Sequence, residues 1–504
     1  MTKDTVWPAP RLVLIISLVL FVLGSLVMLY TKFPPFMDEA IYLDMTYRLS
    51  DGLGLSSSLF RDFIPQVEQT AHWYPPVYFL SLAPLILIFG QSLLVMRLFS
   101  LLMAVVVLIL IYQIAKKIFG QAWVGVIAVW LLIMDHYFQV GAMVGRMELL
   151  TICFGCGAVL LHLHFLENKQ WKPNLLSGAC LALAVLTHLN GIIFGLPIVG
   201  NLWLQSGLSG REKLSQLAVF VGPVVFGLGL WLVSFLPDLN NFLVQNLLQA
   251  HRKQFGEVFV NLIFKFLPNQ RVVLAGYLIS NTVYLVRKMV NHQLPSAKHR
   301  FLFLLVLSSS ILPIMLKEMW YIIYIPLIGA LVVADNAIWL WKKEPLFLIG
   351  LVMVFVIPNS FLYFDALEAT GTHRGEYTHF AQQIAQVLPT GAKVLLSSLP
   401  DSYFYLVQNR SDLDLRETPN SPPLEPIDTQ VYNTILNDVD YVVLSYTHNR
   451  HLGQYFETNL ASVVFEQAGA DSYPVQVIKL KPVLDRQPVT ALEAETWQYP
   501  TLAF

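Results

Sequence analysis

Charge is scarce in this sequence. Only 13% of its 504 residues are Lys, Arg, Asp or Glu, whereas an ordinary soluble protein carries about 25%. A chain of that length has interior enough to be ordinary, so the deficit excludes a soluble enzyme and a disordered scaffold. Excess positive charge is missing too. The formal net charge is −1, which excludes a nucleic-acid binder that relies on a basic surface. Cysteine is nearly absent: Cys153, Cys156 and Cys180 all fall inside apolar runs. They form no disulfide framework. Cys153-x-x-Cys156 has no second ligand pair and reads as helix packing rather than redox or zinc chemistry.

What is present is apolar: 56% of the residues are hydrophobic and the mean hydropathy is +0.58. Apolar runs lie near 12–30, 93–115, 122–138, 149–166, 174–188, 191–206, 214–235, 272–289, 301–316, 320–340 and 345–363. Most have the length that a bilayer core requires of a helix. The first is too long for a signal-peptide core and reads as an uncleaved span. The run Val77 to Phe89, bracketed by Pro75-Pro76 and Gly90, is too short to cross. With that run left out, Lys116/Lys117, Lys169/Lys172, Arg211/Lys213, Arg287/Lys288 with Lys298/Arg300, and Lys342/Lys343 share one side with Lys3 and Arg11. The positive-inside rule makes that side cytoplasmic.

The expectation is a polytopic α-helical membrane protein with about eleven transmembrane helices and a small C-terminal extracytoplasmic α/β domain. The membrane-embedded domain covers 1–363 and the tail 364–504. Charge divides at the same place, with 24 basic against 16 acidic residues over 1–362 and 8 against 17 beyond. Residues 174–206 should leave and return as two short helices turning at His188-Leu189-Asn190-Gly191. Two long outer loops remain, near 31–91 and 236–271, and Leu243, Leu247 and Leu248 of the second mark one face of an interfacial helix. In the tail, Tyr377 to Leu388 reads as a helix, and 393–396, 441–444 and 475–478 read as strands of a three-layer α/β domain. The tail has neither G-x-G-x-x-G nor a P-loop, so no nucleotide is assigned to it.

Three places can carry chemistry. Asp38 and Glu39 open a helical stretch whose Ile41, Met45 and Leu49 form a stripe that can lie on the membrane surface. A helix amino terminus favours the ionised carboxylate that a general base needs, and it also suits acids that merely cap. Arg146-Met147-Glu148 interrupts a long uncharged stretch, and ionisable residues at membrane depth are functional by default unless they form an internal pair. Lys317, followed by Tyr321 and Tyr324, sits at the outer interface, where it can bind a lipid phosphate or simply snorkel. His72 and Tyr74 close the first loop at the Pro75-Pro76 corner. Asp135 and His136 can pair with each other and are assigned no role. A lone Asp-Glu is not a metal site; a divalent metal is possible, but the sequence does not support one.

Read in order, Asp38-Glu39, Tyr74-Pro75-Pro76-Val77-Tyr78, Gly145-Arg146-Met147-Glu148, Leu186-Thr187-His188-Leu189-Asn190-Gly191 and the run Lys317 to Pro326 resemble the C-type membrane glycosyltransferases. The likeness is to the branch of protein O-mannosyltransferases and lipid A aminoarabinose transferases, over about residues 12–363. The resemblance implies inverting transfer of a hexosyl or pentosyl group from a polyprenyl-phosphate-linked sugar to an extracytoplasmic acceptor, in the cytoplasmic (inner) membrane of a bacterium. It implies catalytic roles for Asp38, Glu39 and Glu148, and substrate-binding roles for Arg146, His72, Tyr74, His188, Asn190, Lys317 and Tyr321. This sequence departs from the family at Tyr74, often basic in relatives, and at His188, where relatives often have Lys. Partners are membrane lipids, the donor and the acceptor, with no nucleic acid. The alternatives are a transporter or flippase of lipid-linked sugars, which calls for internal repeats and charges deep in several spans, and a receptor presenting the tail.

Overall fold

The computed structural model describes residues 9–31, 35, 37–61, 63–252, 268–291, 296–315, 319–398, 401–417, 429–445, 453–467 and 475–488. Its helices are α1 (Pro10–Thr31), α2 (Met37–Ser50), α3 (Val77–Phe89), α4 (Leu93–Phe119), α5 (Ala122–Met134), α6 (His136–Met143), α7 (Glu148–Asn168) and α8 (Trp171–Thr187). They continue as α9 (Ile192–Trp203), α10 (Gly210–Phe235), α11 (Leu239–Arg252), α12 (Pro268–Val290), α13 (Ala297–Met315), α14 (Tyr324–Lys343) and α15 (Pro345–Val387). The tail alternates β1 (Lys393–Ser397), α16 (Tyr403–Asn409), β2 (Asp414–Glu417), α17 (Thr429–Asn437), β3 (Tyr441–Ser445), α18 (Gly453–Asn459), β4 (Leu460–Gln467) and β5 (Val475–Leu480).

The chain forms two compact units. One comprises Met1–Leu29, Arg97–Ser234 and Phe255–Asp365; the other comprises Tyr30–Met96, Phe235–Gln254 and Ala366–Phe504. The first is all helical. Helix α7 packs on α8, α13 on α9, and α14 on α5 and α12. Among the described residues five helical stretches are long and apolar enough to cross a membrane: Pro10–Leu29, Leu93–Phe119, Glu148–Asn168, Gly210–Leu247 and Tyr321–Lys343. The expected run at 122–138 is two helices bent by 70° between α5 and α6. The break has a local cause. Asp135 turns extended and its Oδ1 accepts from the Phe138 N–H at 3.0 Å, capping a new helix. The His136 N–H donates to Asn359 Oδ1 at 3.1 Å.

Helices α8 and α9 meet at the expected turn, a single 3₁₀ turn over Leu189–Gly191. A Cβ on Gly191 would stand 2.6 Å from the Ala184 carbonyl carbon and 2.7 Å from the Val185 nitrogen. Backbone cannot yield as a flexible side chain does, so Gly191→Ala should lower stability by about 1–3 kcal/mol through overpacking. Thermal unfolding of the purified variant in detergent checks this, and an unchanged midpoint would show that the turn opens freely.

In the second unit α2 packs on α3. The stripe on α2 is not a membrane-facing one. Ile41 and Met45 are buried, and so is every residue from Ala40 to Thr46, because α3 and the 51–76 loop enclose the helix. Helix α11 turns its polar face inward instead: Asn241 and Gln245 are buried while Leu243 and Leu247 are exposed. Gln245 Nε2 donates to the carbonyls of Pro65 (2.8 Å) and Thr70 (3.1 Å), tying α11 to the first loop.

The tail sheet has the order β2-β1-β3-β5-β4. Strand β1 runs parallel to β2 and β3, and β5 is antiparallel to both β3 and β4. Val394, Leu395, Val442, Val443, Val477 and Ile478 are buried along the central strands, as are Leu406, Tyr432, Ile435 and Ile384 on the helices. Burial on both faces explains the continuous apolar runs of these central strands, β1 and β3 being a parallel pair and β5 antiparallel.

Candidate active site

Asp38 and Glu39 occupy the first turn of α2, Asp38 half-buried and Glu39 fully buried. Further along the same helix, Asp44 is anchored by the loop that wraps it. It accepts from the Ser57 hydroxyl (2.8 Å), the Ser58 hydroxyl (2.7 Å) and the Ser58 amide (2.8 Å). Burial raises the Asp44 pKa above the usual carboxylate value, and the serine donors work against that rise.

Aromatic rings pack beside the helix. Tyr42 stands edge-on to Tyr74 (5.3 Å) and Tyr78 (5.7 Å), and Trp73 to both Tyr74 (5.6 Å) and Phe60 (5.7 Å). Tyr74, where relatives often carry a cation, is thus part of an aromatic wall. His72 is buried edge-on to the stacked rings of Phe235 and Phe242, and its Nε2 meets Asp238 Oδ2 at 3.1 Å. Its amide donates to Gln245 Oε1 at 2.7 Å. These contacts make His72 a clasp between the loop after α2 and the segment that joins α10 to α11, with its Nε2 committed to a carboxylate.

The tail brings acids to the same unit that sequence reading did not single out. The Asp401 N–H donates to the Pro35 carbonyl (3.3 Å), two residues before α2, and the Glu417 N–H to the Leu59 carbonyl (3.0 Å). Arg61 forms an ion pair with Asp414. Asp401 and Glu417 are both 2% exposed, and neither side-chain oxygen of Glu417 meets a hydrogen-bond partner among the described residues. Burial drives the Glu417 pKa well above the usual carboxylate range, and the charges of Asp401, Asp44 and Asp38 push it the same way. Nothing in the sequence could have found this pair, since it depends on backbone pairing between segments some 360 residues apart.

The first unit holds the other predicted residues. Glu148 begins α7, and the Arg146 guanidinium grips it with Nη2–Oε1 at 2.8 Å and Nε 3.2 Å from both oxygens. Both side chains are about 5% exposed. Tyr324 and His188 lie within electrostatic range of Glu148. His188 Nδ1 accepts from the Asn190 N–H (3.1 Å), and its Nε2 lies 3.5 Å from the Tyr321 hydroxyl. The Nδ2 of Asn190 and the hydroxyl of Tyr324 are buried and meet no partner among the described residues. Arg146, Glu148, His188, Asn190 and Tyr321 therefore form one neighbourhood. Lys317 lies outside the described residues. Among the described residues no group of three or more His, Cys, Asp or Glu is placed to hold a metal ion.

Residues 74–238 match the sequence profile of the dolichyl-phosphate-mannose-protein mannosyltransferase family. No curated protein matches the chain. Among solved structures it is similar to ArnT from Cupriavidus metallidurans bound to undecaprenyl phosphate, at 14% identity and a TM-score of 0.59, over 92% of this chain and 97% of that one. The apo form of ArnT gives 14% identity and 0.58 over 93% and 98%. The apo Archaeoglobus fulgidus oligosaccharyltransferase gives 12% identity and 0.51 over 88% and 70%. The resemblance to C-type membrane glycosyltransferases is thus shown. The apolar helices and these matches fit an integral membrane protein, mostly helical with a small sheet, and the solved structures, at 12–14% identity, show the fold alone.

Proposed function

We propose that this protein transfers a sugar, with inversion, from a polyprenyl-phosphate-linked donor to a lipid, glycan or protein acceptor on the outer face of the membrane. The eleven-span topology, the cytoplasmic amino terminus, the placement in a bacterial inner membrane and the division at residue 363 belong to the same reading. One observation carries it. A fold similar over nearly its whole length to a protein that binds undecaprenyl phosphate has Asp38, half-buried, in the first turn of a helix enclosed by an aromatic-lined loop.

In this mechanism the acceptor oxygen attacks the anomeric carbon, the carbon–oxygen bond to phosphate breaks, and the acceptor proton passes to Asp38. The departing polyprenyl phosphate is already a good leaving group and needs no protonating acid, unlike the alcohol released by glycoside hydrolysis. Charge developing on it calls for fixed cations. Lys317 and the 236–271 loop supply candidates, while Arg146 is already engaged with Glu148. Glu39 and Glu148 support the acceptor or its surroundings. No step is routed through a metal.

Purified protein supplied with a polyprenyl-phosphate sugar should release polyprenyl phosphate in proportion to acceptor glycosylation. Mass spectra of outer-surface glycans and glycolipids from cells with and without the protein should differ by one sugar. Release without a glycosylated product, or translocation of the intact donor, would instead favour a flippase.

A further inference from the structure

Basic residues crowd one end of the first unit, and two acids there are already shared. Glu167 pairs with both Lys117 and Lys298, and Asp335 with both Arg287 and Lys288. Lys169 and Arg300 meet no carboxylate among the described residues, although they lie within electrostatic range of each other. Amides at the end of α9 hold them instead. Lys169 Nζ donates to Gln205 Oε1 and Arg300 Nε to Asn201 Oδ1, each at 3.3 Å. Asn201 is itself fixed, with its Nδ2 3.1 Å from His162 Nε2. The Nη1 and Nη2 of Arg300 take no hydrogen bond among the described residues. Gln205 is 4% exposed, and its Nε2, on the same amide that faces Lys169, meets no partner among the described residues either. A buried donor left unpaired is costly. Three side chains thus bring more donors than acceptors to the place where α7, α9 and α13 meet.

We propose that Lys169, Gln205 and Arg300 bind the phosphate of an anionic lipid headgroup in the leaflet where α7 and α9 end. The backbone favours an anion at the same place. Arg300 lies in the first turn of α13, where the helix dipole disfavours a cation and attracts a negative group. Lys169 caps α7 in the left-handed conformation, at φ +57°, that glycine usually fills. A cation is therefore kept at two positions where the local backbone alone would not choose one. The surroundings select a lipid over a free ion. Trp171 follows Lys169 by two residues and Trp203 precedes Gln205 by two; they are 59% and 55% exposed. Exposed tryptophans mark the depth at which headgroups lie. Leu204 beside them is half exposed, so acyl chains find apolar surface next to the cations. Basic pockets between the ends of membrane helices suit phosphate headgroups for this reason.

The test uses delipidated full-length protein in a neutral detergent, titrated with phosphatidylglycerol, phosphatidylcholine or inorganic phosphate. Native mass spectrometry reads what is bound, and thermal melting reads its effect. Wild type should retain a phosphatidylglycerol adduct and melt at higher temperature as that lipid is added, with little response to the other two. Lys169→Ala should weaken binding by about fivefold, the contribution of one basic residue near an anionic surface. Arg300→Lys keeps the charge and should retain more affinity than Arg300→Gln. Gln205→Glu places a carboxylate beside Lys169, so this variant should melt no lower than wild type without lipid and should lose its response to phosphatidylglycerol. Lys342→Ala removes an exposed cation from the end of α14 and should bind as wild type does. Equal losses in Lys169→Ala and Lys342→Ala would reduce the effect to general attraction by the basic end and overturn the site. An undiminished adduct in the double variant Lys169→Ala/Arg300→Gln would overturn it as well. Inorganic phosphate that displaces the lipid and stabilises as strongly would overturn the choice of a lipid. Neither readout involves sugar transfer, so failure here is distinct from failure of the functional reading.

Discussion

Asp38→Asn should lower transfer by about 10²–10⁴-fold, the range that general-base catalysis supplies, with folding and donor binding kept. The amide preserves size and hydrogen bonding and removes only the ability to take the acceptor proton. Asp38 is the one of the two first-turn acids with solvent access, because Glu39 is 0% exposed. Adjacent helix positions point about 100° apart, so a substrate that meets Asp38 does not meet Glu39. Glu39→Gln should cost less in kcat and more in melting temperature, as befits a buried group inside the acidic network. Steady-state kinetics of purified variants with a polyprenyl-phosphate sugar decide it. Near-normal turnover by Asp38→Asn would remove the base from α2 and leave Glu148 as the credible substitute.

Much of the architecture was legible because its signals are local. Pro75-Pro76 and Gly90 bracket α3 to the residue, and His188 to Gly191 mark the turn between α8 and α9. The strands at 393, 441 and 475 announce themselves as short β-branched and leucine runs. What escaped was decided by distant partners. The break at Asp135 sits in a run apolar enough to read as one span, and only the capping bond to Phe138 reveals it. The stripe on α2 suits a membrane surface as well as a protein interior, and sequence cannot say which covers it. Strand β2, Asp-Leu-Arg-Glu, has too few apolar residues to be recognised; it exists because β1 pairs with it. The same holds for the site. Arg146 and Glu148 are two residues apart and their pairing could be weighed in advance, whereas Asp401 and Glu417 come to α2 only through the folded tail.

The second large effect concerns that Arg146–Glu148 pair, and it separates stability from chemistry. Removing one partner of a buried ion pair leaves an uncompensated charge and costs about 3–5 kcal/mol, whereas replacing both by apolar or neutral groups is often close to neutral. Arg146→Met should therefore unfold much of the protein at temperatures the wild type survives. Arg146→Lys should fall between, because an ammonium cannot reproduce the two-nitrogen grip on both Glu148 oxygens. The double variant Arg146→Met/Glu148→Gln should recover most of the melting temperature. If the pair served packing alone, the double variant would also recover transfer. The expected result is a folded protein whose transfer stays low, because His188, Tyr321 and Tyr324 are grouped around Glu148 and lose the charge they are arranged against. Melting curves and turnover measured on the same preparations give the two readouts, and recovery of both would strip Glu148 of its functional role.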